Sequence, residues 1–298
     1  MRVLYVAEHG KKESNDDEGA ITHALRVLGH AVYVAKETDR PPSAFSPFDM
    51  MLCHYLDEKS PWWDWAKGKI PTAVWYFDQV ISPSPVNANR NKKRKEWVER
   101  VQGLAHKVFV TDGNYRKTRP DTTYLLRQGA DERWFARPPE PIHDLSGKVL
   151  MTASIGRDGE RKRQVDSLKK VLGDRLSLLK KGLYGDAFRS AVATADVCVA
   201  PDFPSTDLYW SNRVYVTLAA GGFLLHPDCM ILFEHEYQSG VHLESYHDDF
   251  TLIERLNYWL NPAQAERRAE VKRLAKQETF DRHLYRHRLL DLLTEMKK

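Results

Sequence analysis

Cysteine is scarce in this sequence, long apolar runs are missing, and neither sign of charge prevails. The 298 residues include 3 cysteines, and 45 lysines and arginines stand against 41 aspartates and glutamates. The cysteines are widely spaced and fit neither a disulfide framework nor a zinc motif, so we interpret them as buried thiols of a reducing compartment. No apolar stretch approaches the ~20 residues that cross a bilayer, and the first is too short for a signal peptide. We therefore expect a cytoplasmic protein.

What the chain does contain is a globular composition, with 42% hydrophobic and 29% charged residues. These values exclude a disordered or collagen-like chain and are sufficient for a real core. At roughly 150 residues per domain, the length predicts two domains or one large α/β unit. The net charge of +4 does not by itself indicate a nucleic-acid binder.

Strand-like and helix-like segments alternate along the chain. Strands are predicted at residues 2–7, 31–35, 49–54, 72–77, 107–111 and 124–126, and again at 148–153, 176–179, 197–200 and 222–226. Helices are predicted at residues 19–28, 161–172, 185–194, 212–220, 250–260, 263–276 and 281–296. Strands separated by helices in this way pair in parallel through crossover connections. The predicted fold class is α/β, with two Rossmann-like, doubly wound domains.

A proline-bearing segment at residues 136–141 interrupts the alternation, and we interpret it as a linker. The predicted domains accordingly span residues 1–137 and 142–276. Ligands of open α/β sheets bind beyond the carboxyl ends of the strands. Two such sheets that face each other would place both sets of strand ends at one cleft, where we expect the ligand site.

Four segments of the chain resemble glycosyltransferases of the GT-B class, in its group 1 or family 4-like branch. They are residues 18–34, residues 126–131, residues 211–225 and the tail at 277–288, and they follow the order of the family. The third segment lies in a domain similar to that of spore-maturation-type glycosyltransferases. The resemblance implies an acceptor-binding first domain and a second domain that binds a nucleotide sugar, such as a UDP-sugar, as co-substrate. It also implies that residues 277–298 form a C-terminal helix that returns to the first domain.

The resemblance places the donor site at the start of the helix predicted over residues 212–220. A helix N-terminus offers unsatisfied N–H groups and the positive end of a dipole to a diphosphate. Basic residues after the first strand of the second domain would face the same diphosphate, so this interpretation requires no metal. Ser211 is alternatively a simple N-cap, and the basic segment is alternatively a solvated helix start. The candidate donor-binding residues are Ser211, Asn212, Arg213, Arg161, Arg157, Gly222 and Asp207.

The chain departs from the family motif at two positions. Leu208 and Val216 stand where glutamates usually hold the donor ribose and support the sugar. Asp202 and Asp207 lie close by and are candidate substitutes for one of them. The departure also leaves open a non-catalytic nucleic-acid- or glycan-binding protein on the same scaffold.

The candidate catalytic residues follow predicted strands of the first domain. An inverting transferase needs a carboxylate or a histidine to take the proton of the acceptor hydroxyl, whereas a retaining one can rely on the donor phosphate. Asp78 follows the strand at 72–77 and is the first candidate. His54 and Asp17 follow other strands and come next. The alternative for Asp78 is that it caps a turn or a helix.

A dense run of basic residues follows Asp78 and is the best indication of the acceptor. Residues 90–95 place five cations in six positions, and an aromatic residue comes soon after. Basic side chains bind phosphates without regard to sequence, and aromatic rings stack on exposed bases. The pattern favours a polyanionic acceptor, with a hydroxymethylated pyrimidine of double-stranded DNA first, as in some phage enzymes of this fold that must flip the base. The candidate acceptor-binding residues are Arg90, Lys92, Lys93, Arg94, Lys95 and Trp97.

Other interpretations of this basic run stay open. A charge run is alternatively a solvated face, which we picture here as a loop. Tryptophan together with lysine and arginine also suits attachment to an anionic membrane surface, with a saccharide or a lipid-linked acceptor. The tryptophans at residues 62, 63 and 65 would add stacking surface or would be ordinary core.

Overall fold

The computed structural model describes residues 1–8, 17–43, 47–82, 88–152, 159–179, 183, 185–201 and 206–298. The chain forms two compact units. The first unit consists of Met1–Gln128 and Tyr285–Lys298, and the second unit is Gly129–Leu284. No described helix is both long enough and apolar enough to cross a membrane.

The first unit is built on a parallel sheet of six strands. The strands are β1 (Arg2–Ala7), β2 (Ala31–Lys36), β3 (Met50–Cys53), β4 (Thr72–Tyr76), β5 (Lys107–Val110) and β6 (Tyr124–Leu125), in the order β2-β1-β3-β4-β5-β6. The helices are α1 (Asp17–Val27), α2 (Pro61–Ala66), α3 (Ala88–Gln102), α4 (Gly113–Thr118) and, from the end of the chain, α11 (Tyr285–Met296). Both β3 and β4 are buried along their whole length, as expected for strands covered on two faces.

Alternating residues of each strand feed two hydrophobic cores in the first unit. Val3 and Tyr5 of β1 face one core, where α1 and α11 pack. Leu4 and Val6 face the other core, which α2 and α3 help to close. This alternation follows from the two-residue period of a strand. Helix α1 ends at Val27, and Gly29, two residues on, has the φ of +80° that is typical of a left-handed cap after a helix.

The second unit repeats the arrangement with five strands. These are β7 (Val149–Met151), β8 (Leu176–Leu178), β9 (Val197–Val199), β10 (Leu224–Pro227) and β11 (Glu244–Tyr246), all parallel, in the order β11-β10-β9-β7-β8. The helices are α5 (Gly159–Leu172), α6 (Gly185–Thr194), α7 (Arg213–Ala219), α8 (Met230–His235), α9 (Asp249–Trp259) and α10 (Ala265–Arg282). Two cores again lie on the two faces of the sheet.

Both sheets have the same doubly wound order and therefore the same kind of switch point. Counted along each unit, the first and third strands are neighbours, β1 with β3 and β7 with β9. The connections on either side of such a pair leave in opposite directions and open a crevice beyond the carboxyl ends of the strands. The ends of β1 and β3, and those of β7 and β9, are therefore where ligands are expected.

The predicted elements agree with the observed ones except in a few places. The basic run at residues 90–95, expected as a loop, is instead the first half of α3, because its lysines and arginines are good helix formers and Val98 and Val101 anchor the far end. Strand β11 and the short helices α2, α4 and α8 were not predicted. Short elements of this kind leave too few residues for a period to emerge.

The proline-bearing segment predicted as a linker is attached to the second unit. The guanidinium of Arg189 in α6 donates to the carbonyl oxygens of Trp134 at 2.6 Å and Arg137 at 2.7 Å. Arg137 in turn pairs with Asp186 at 2.8 Å. The contacts therefore divide the chain earlier, between Gln128 and Gly129.

Candidate functional site

A buried aspartate holds the loop that follows β4. Asp112 is 0% exposed, and its Oδ2 accepts the backbone N–H groups of Val80 and Ile81, both at 2.8 Å. Its Oδ1 caps the first turn of α4. Burial raises the pKa of this carboxyl, although the backbone hydrogen bonds act in the opposite direction. Asp112 thus fixes residues 77–82, the segment that carries Asp78.

Asp78 itself is paired with Arg94 of α3. The guanidinium contacts Oδ2 of Asp78 and donates to the carbonyl oxygen of Gln79 at 2.9 Å. The Arg94 side chain is 15% exposed, whereas that of Asp78 is 42% exposed. Arg94 therefore acts within the unit, as a support for the loop, while the Asp78 carboxylate still reaches solvent.

The other cations of the basic run lie on the exposed side of α3. We call Arg90, Lys92, Lys93 and Lys95, all of them exposed, the basic face of α3. Two of them have partners one turn on, at 4.0 Å and 3.9 Å. The first turn of α3 holds no acidic residue, so these cations oppose the helix dipole rather than complement it. The helix dipole therefore does not account for the charge of this face.

The tryptophans of the first unit are part of its core. Trp62 and Trp63 are 2% and 5% exposed, so of the two interpretations left open for them the structure supports ordinary core. Trp97 is half-buried, with its ring centroid 5.1 Å from that of Tyr76 and 6.2 Å from that of Tyr55. The Trp97 ring thus packs against other aromatic rings of the first unit, and those contacts cover part of the surface on which a base could stack.

His54 and Tyr55 follow β3 and form an aromatic cluster at the end of that strand. The buried His54 ring lies 4.3 Å from the ring of Tyr55 and 4.2 Å from that of Phe77. Tyr55 has a φ of 54°, the one non-glycine residue in the described part of the chain that adopts the left-handed region. Backbone strain of this kind persists where the surroundings enforce it, and it clusters at functional sites. His54 thus contacts the residue that precedes Asp78.

Asp17 joins the same edge of the sheet through α11. Its Oδ1 accepts a hydrogen bond of 2.7 Å from the hydroxyl of Tyr285. The Tyr285 ring stacks on Phe77 with a centroid distance of 6.3 Å and an interplanar angle of 26°. Phe77 therefore links the surroundings of Asp17, His54 and Asp78. The first unit brings the three candidate catalytic residues to one edge of its sheet.

In the second unit, the predicted donor segment lies at the start of α7. Helix α7 begins at Arg213, and Asn212, rather than Ser211, occupies the N-cap position, without a side-chain capping bond. The segment is fixed from inside, since the Trp210 indole donates to the Tyr215 hydroxyl at 2.8 Å. All three candidates, Ser211 included, are half-buried and keep some exposure to solvent.

Gly222 follows α7 and faces the interior. An added Cβ would lie 2.5 Å from Cγ1 of Val192 and 3.0 Å from Cγ2 of Thr217. Such distances leave no room for a side chain. The glycine is therefore explained by close packing of the turn after α7 against α6, which differs from the expected contact with the donor.

The remaining donor candidates lie near the strand ends. Arg161, in the first turn of α5, has Nη2 at 3.5 Å from the carbonyl oxygen of Pro201, which follows β9. Asp207 is exposed, and its carbonyl oxygen lies 3.4 Å from the thiol of Cys229. Arg157 and Asp202 lie outside the described residues.

Comparison with known proteins adds the enzyme class. Residues 167–294, which include α7, match the family model described as glycosyl transferase-like. No curated protein sequence matches the chain. Sucrose-phosphate synthase from Thermosynechococcus elongatus is similar in structure, with a TM-score of 0.64 and 12% identity over 100% of this chain and 98% of that one. HepE of Anabaena, solved with UDP and glucose, has a TM-score of 0.64 and 12% identity over 100% of both chains. A glycosyltransferase from Rickettsia africae has a TM-score of 0.62 and 10% identity over 100% and 98%.

This chain carries a glycosyltransferase-like domain on a GT-B fold. The predicted fold class and the predicted enzyme class are confirmed. At the two positions where the resemblance led us to expect glutamates, the chain has a half-buried Leu208 and a Val216 that is 3% exposed within the core. In the described part of the chain, no three histidines, cysteines, aspartates or glutamates lie close enough together to hold a metal ion.

Sequence reasoning missed Asp112 and the role of Arg94. One local signal was present for the first, because an aspartate directly after a buried strand and before a glycine is typical of a helix N-cap. Nothing in the neighbouring sequence predicts the hydrogen bonds between Asp112 and the loop at residues 77–82. Arg94 was counted among the ligand-binding cations, since spacing does not reveal which cation of a run turns inward.

Proposed function

We propose that this glycosyltransferase transfers a sugar from a UDP-sugar to a hydroxymethylated pyrimidine in double-stranded DNA. The second unit would bind the donor and the first unit the acceptor. The HepE structures, one with UDP and glucose and another with UDP-glucose, support the choice of nucleotide. Ser211, Asn212, Arg213 and Arg161 are the residues that we assign to the diphosphate, because they combine a helix start with guanidinium groups.

The basic face of α3 is the observation that carries the choice of acceptor. Its cations are exposed, they work against the helix dipole, and they flank Arg94, which contacts Asp78 directly. A polyanion bound to this face would therefore bring its backbone phosphates close to the candidate base. Contacts to phosphates position a duplex without reading its sequence.

Asp78 is the residue that we assign as the general base of an inverting transfer. Arg94 engages Oδ2, so Oδ1 is the atom that would accept the proton of the acceptor hydroxyl. As that proton leaves, the hydroxyl oxygen bonds to the anomeric carbon, and the bond from this carbon to the diphosphate breaks. The nucleoside diphosphate departs with the electron pair, stabilised by the guanidinium groups of the second unit.

A charge reversal on the basic face of α3 tests the acceptor. Lys92→Glu with Lys93→Glu is expected to weaken duplex binding about equally for all sequences and to reduce the slope of log K against log salt by about 2. Lys169→Glu with Lys170→Glu, the same change of charge on exposed positions of α5, is the matched control and should leave binding unchanged. Duplex binding that is unaffected by the α3 change would contradict a DNA acceptor. Co-sedimentation of the protein with anionic vesicles, without binding to a duplex, would indicate a lipid-linked acceptor.

Two further measurements test the donor and the reaction. UDP and UDP-glucose should raise the melting temperature of the protein, and failure of every nucleoside diphosphate sugar to do so would contradict donor binding. Mass spectrometry of DNA from cells that express this protein with a pyrimidine-hydroxymethylating enzyme should detect a sugar mass increment on the base.

A further inference from the structure

We infer that Gln79 is a specificity-determining residue of the acceptor site. Its side-chain amide would donate a hydrogen bond to an acceptor atom of the pyrimidine, next to the hydroxymethyl group that receives the sugar. This inference rests on the proposed function, because it takes the loop after β4 as the place where the acceptor binds.

The first observation concerns the environment of the Gln79 amide. Gln79 directly follows Asp78 and is 9% exposed. Its Nε2 is buried and has no hydrogen-bond partner among the described residues. A buried donor without a partner has lost its hydrogen bonds to water and has formed none within the protein. Such groups are therefore destabilising and rare in native proteins, and each one needs an explanation.

The second observation is that the rest of this loop is well bonded. Four groups from neighbouring elements engage its backbone: Thr111 donates to the carbonyl of Phe77 at 2.6 Å, Arg94 to that of Gln79 at 2.9 Å, Asn91 to that of Ser82 at 3.1 Å, and Asp112 accepts from Val80 and Ile81. A loop held from this many directions does not leave one amide unpaired through poor packing. The unpaired donor is instead the pre-organised half of a hydrogen bond that the ligand completes.

The third observation is that this donor and a carboxylate are carried by consecutive residues of one loop. Asp78 offers an acceptor for the hydroxyl proton, and the adjacent Gln79 offers a donor. A hydroxymethylated pyrimidine presents the matching pair, a hydroxyl on the group at C5 and the substituent at C4 beside it. Uracil carries a carbonyl oxygen at C4, which accepts a hydrogen bond, whereas cytosine carries an amino group, which donates one. The amide N–H of Gln79 therefore favours 5-hydroxymethyluracil over 5-hydroxymethylcytosine.

The test begins with Gln79→Met, which keeps the length of the side chain and removes the amide. Because an unpaired buried polar group is removed, the melting temperature should rise by about 2–4 °C. At the same time, KM for a duplex with 5-hydroxymethyluracil should rise by about tenfold or more, while KM for the UDP-sugar, which binds to the second unit in the proposed function, stays the same. A gain in stability together with a loss of acceptor use is a combination that a merely structural glutamine would not produce.

Gln102→Met is the matched control. Gln102 lies in α3 of the same unit, but its amide has a partner, the Thr122 hydroxyl at 3.3 Å. Its loss should not raise the melting temperature, and acceptor kinetics should stay as in the unchanged protein. Gln79→Glu supplies a third variant, in which the donor is replaced by an acceptor. It should lower the ratio of kcat/KM for 5-hydroxymethyluracil to that for 5-hydroxymethylcytosine by about tenfold or more.

The outcomes separate this inference from the proposed function. A fall in the melting temperature of Gln79→Met would show that the amide has a partner in the protein, which overturns the inference. Undiminished transfer by Gln79→Met, from a protein that does glycosylate a duplex, overturns it as well and leaves the proposed function intact. Transfer to neither duplex by the unchanged protein contradicts the proposed acceptor, and with it the base preference assigned to Gln79.

Discussion

Gly222→Ala is expected to destabilise the second unit through overpacking. The new Cβ would lie 2.5 Å from Cγ1 of Val192 and 3.1 Å from the carbonyl oxygen of Thr217. Val192 is 0% exposed and β-branched, so its side chain has few other rotamers to adopt. Overpacking in such a core lowers the free energy of unfolding by about 1–3 kcal/mol.

A double-mutant cycle isolates the cause. Val192→Ala alone leaves a small cavity and lowers stability, but in the Gly222→Ala background it removes the atom that clashes. The double variant should therefore be more stable than the sum of the two single effects predicts, by at least about 1 kcal/mol. Chemical unfolding in urea, followed by circular dichroism, measures each corner of the cycle.

The neighbouring glycine is the matched control. Gly221 has a φ of +83°, and no atom lies within 4 Å of the position of an added Cβ. Gly221→Ala should lower stability by about 1 kcal/mol through backbone strain alone, and Val192→Ala should not relieve that loss. If Gly222→Ala is as stable as the unchanged protein, or if shortening Val192 gives no relief, the packing argument fails. If Gly222→Ala is as stable as the unchanged protein but UDP no longer raises its melting temperature, Gly222 belongs to the donor site.

Two shorter predictions concern aspartates that bond to the backbone. Asp112→Ala should lower the free energy of unfolding by about 2–4 kcal/mol, because the buried N–H groups of the loop after β4 lose their acceptor. Asp112→Ser should recover about 1 kcal/mol of the lost free energy of unfolding, because serine can still cap α4. If urea unfolding shows that Asp112→Ala is as stable as the unchanged protein, Asp112 does not hold the loop. Asp248 caps α9 through the N–H of Thr251 at 2.7 Å, and the hydrogen bonds from Thr251 lower its pKa. The stability that the Asp248 carboxylate contributes is therefore fully present above the ordinary aspartate pKa and is lost as the pH falls through the lowered pKa. Asparagine still caps the helix but does not titrate, so Asp248→Asn should make the melting temperature less dependent on pH in acid. Identical pH profiles of the melting temperature for the variant and the unchanged protein would contradict this prediction.

Much of the fold follows from local pattern. The strands β3, β4 and β9 are short runs of mostly apolar residues because a parallel sheet with helices on both faces buries them completely. Turn residues such as Gly29 mark the helix ends for an equally local reason. The first half of α3 escaped prediction, because its cations give no apolar period although they favour a helix.

The site was predictable only in part. Asp78 and His54 are candidates that the sequence offers because strand ends carry ligand sites in this architecture, and their catalytic roles stay predictions. Asp112, Arg94 and Gln79 could not be assigned their roles, since each depends on contacts between segments far apart in the sequence.

The sequence by itself determined the α/β class, the two parallel sheets and the residues that end their strands. These features rest on burial and on periods of two and 3.6 residues, which neighbouring positions encode. The tertiary structure alone decided which charges turn inward and which stay in solvent: Arg94 contacts Asp78, while the basic face of α3 is exposed. It also left the Gln79 amide buried without a partner among the described residues. Hydrogen-bond satisfaction is a property of atoms brought together from distant segments, and no spacing along the chain records it.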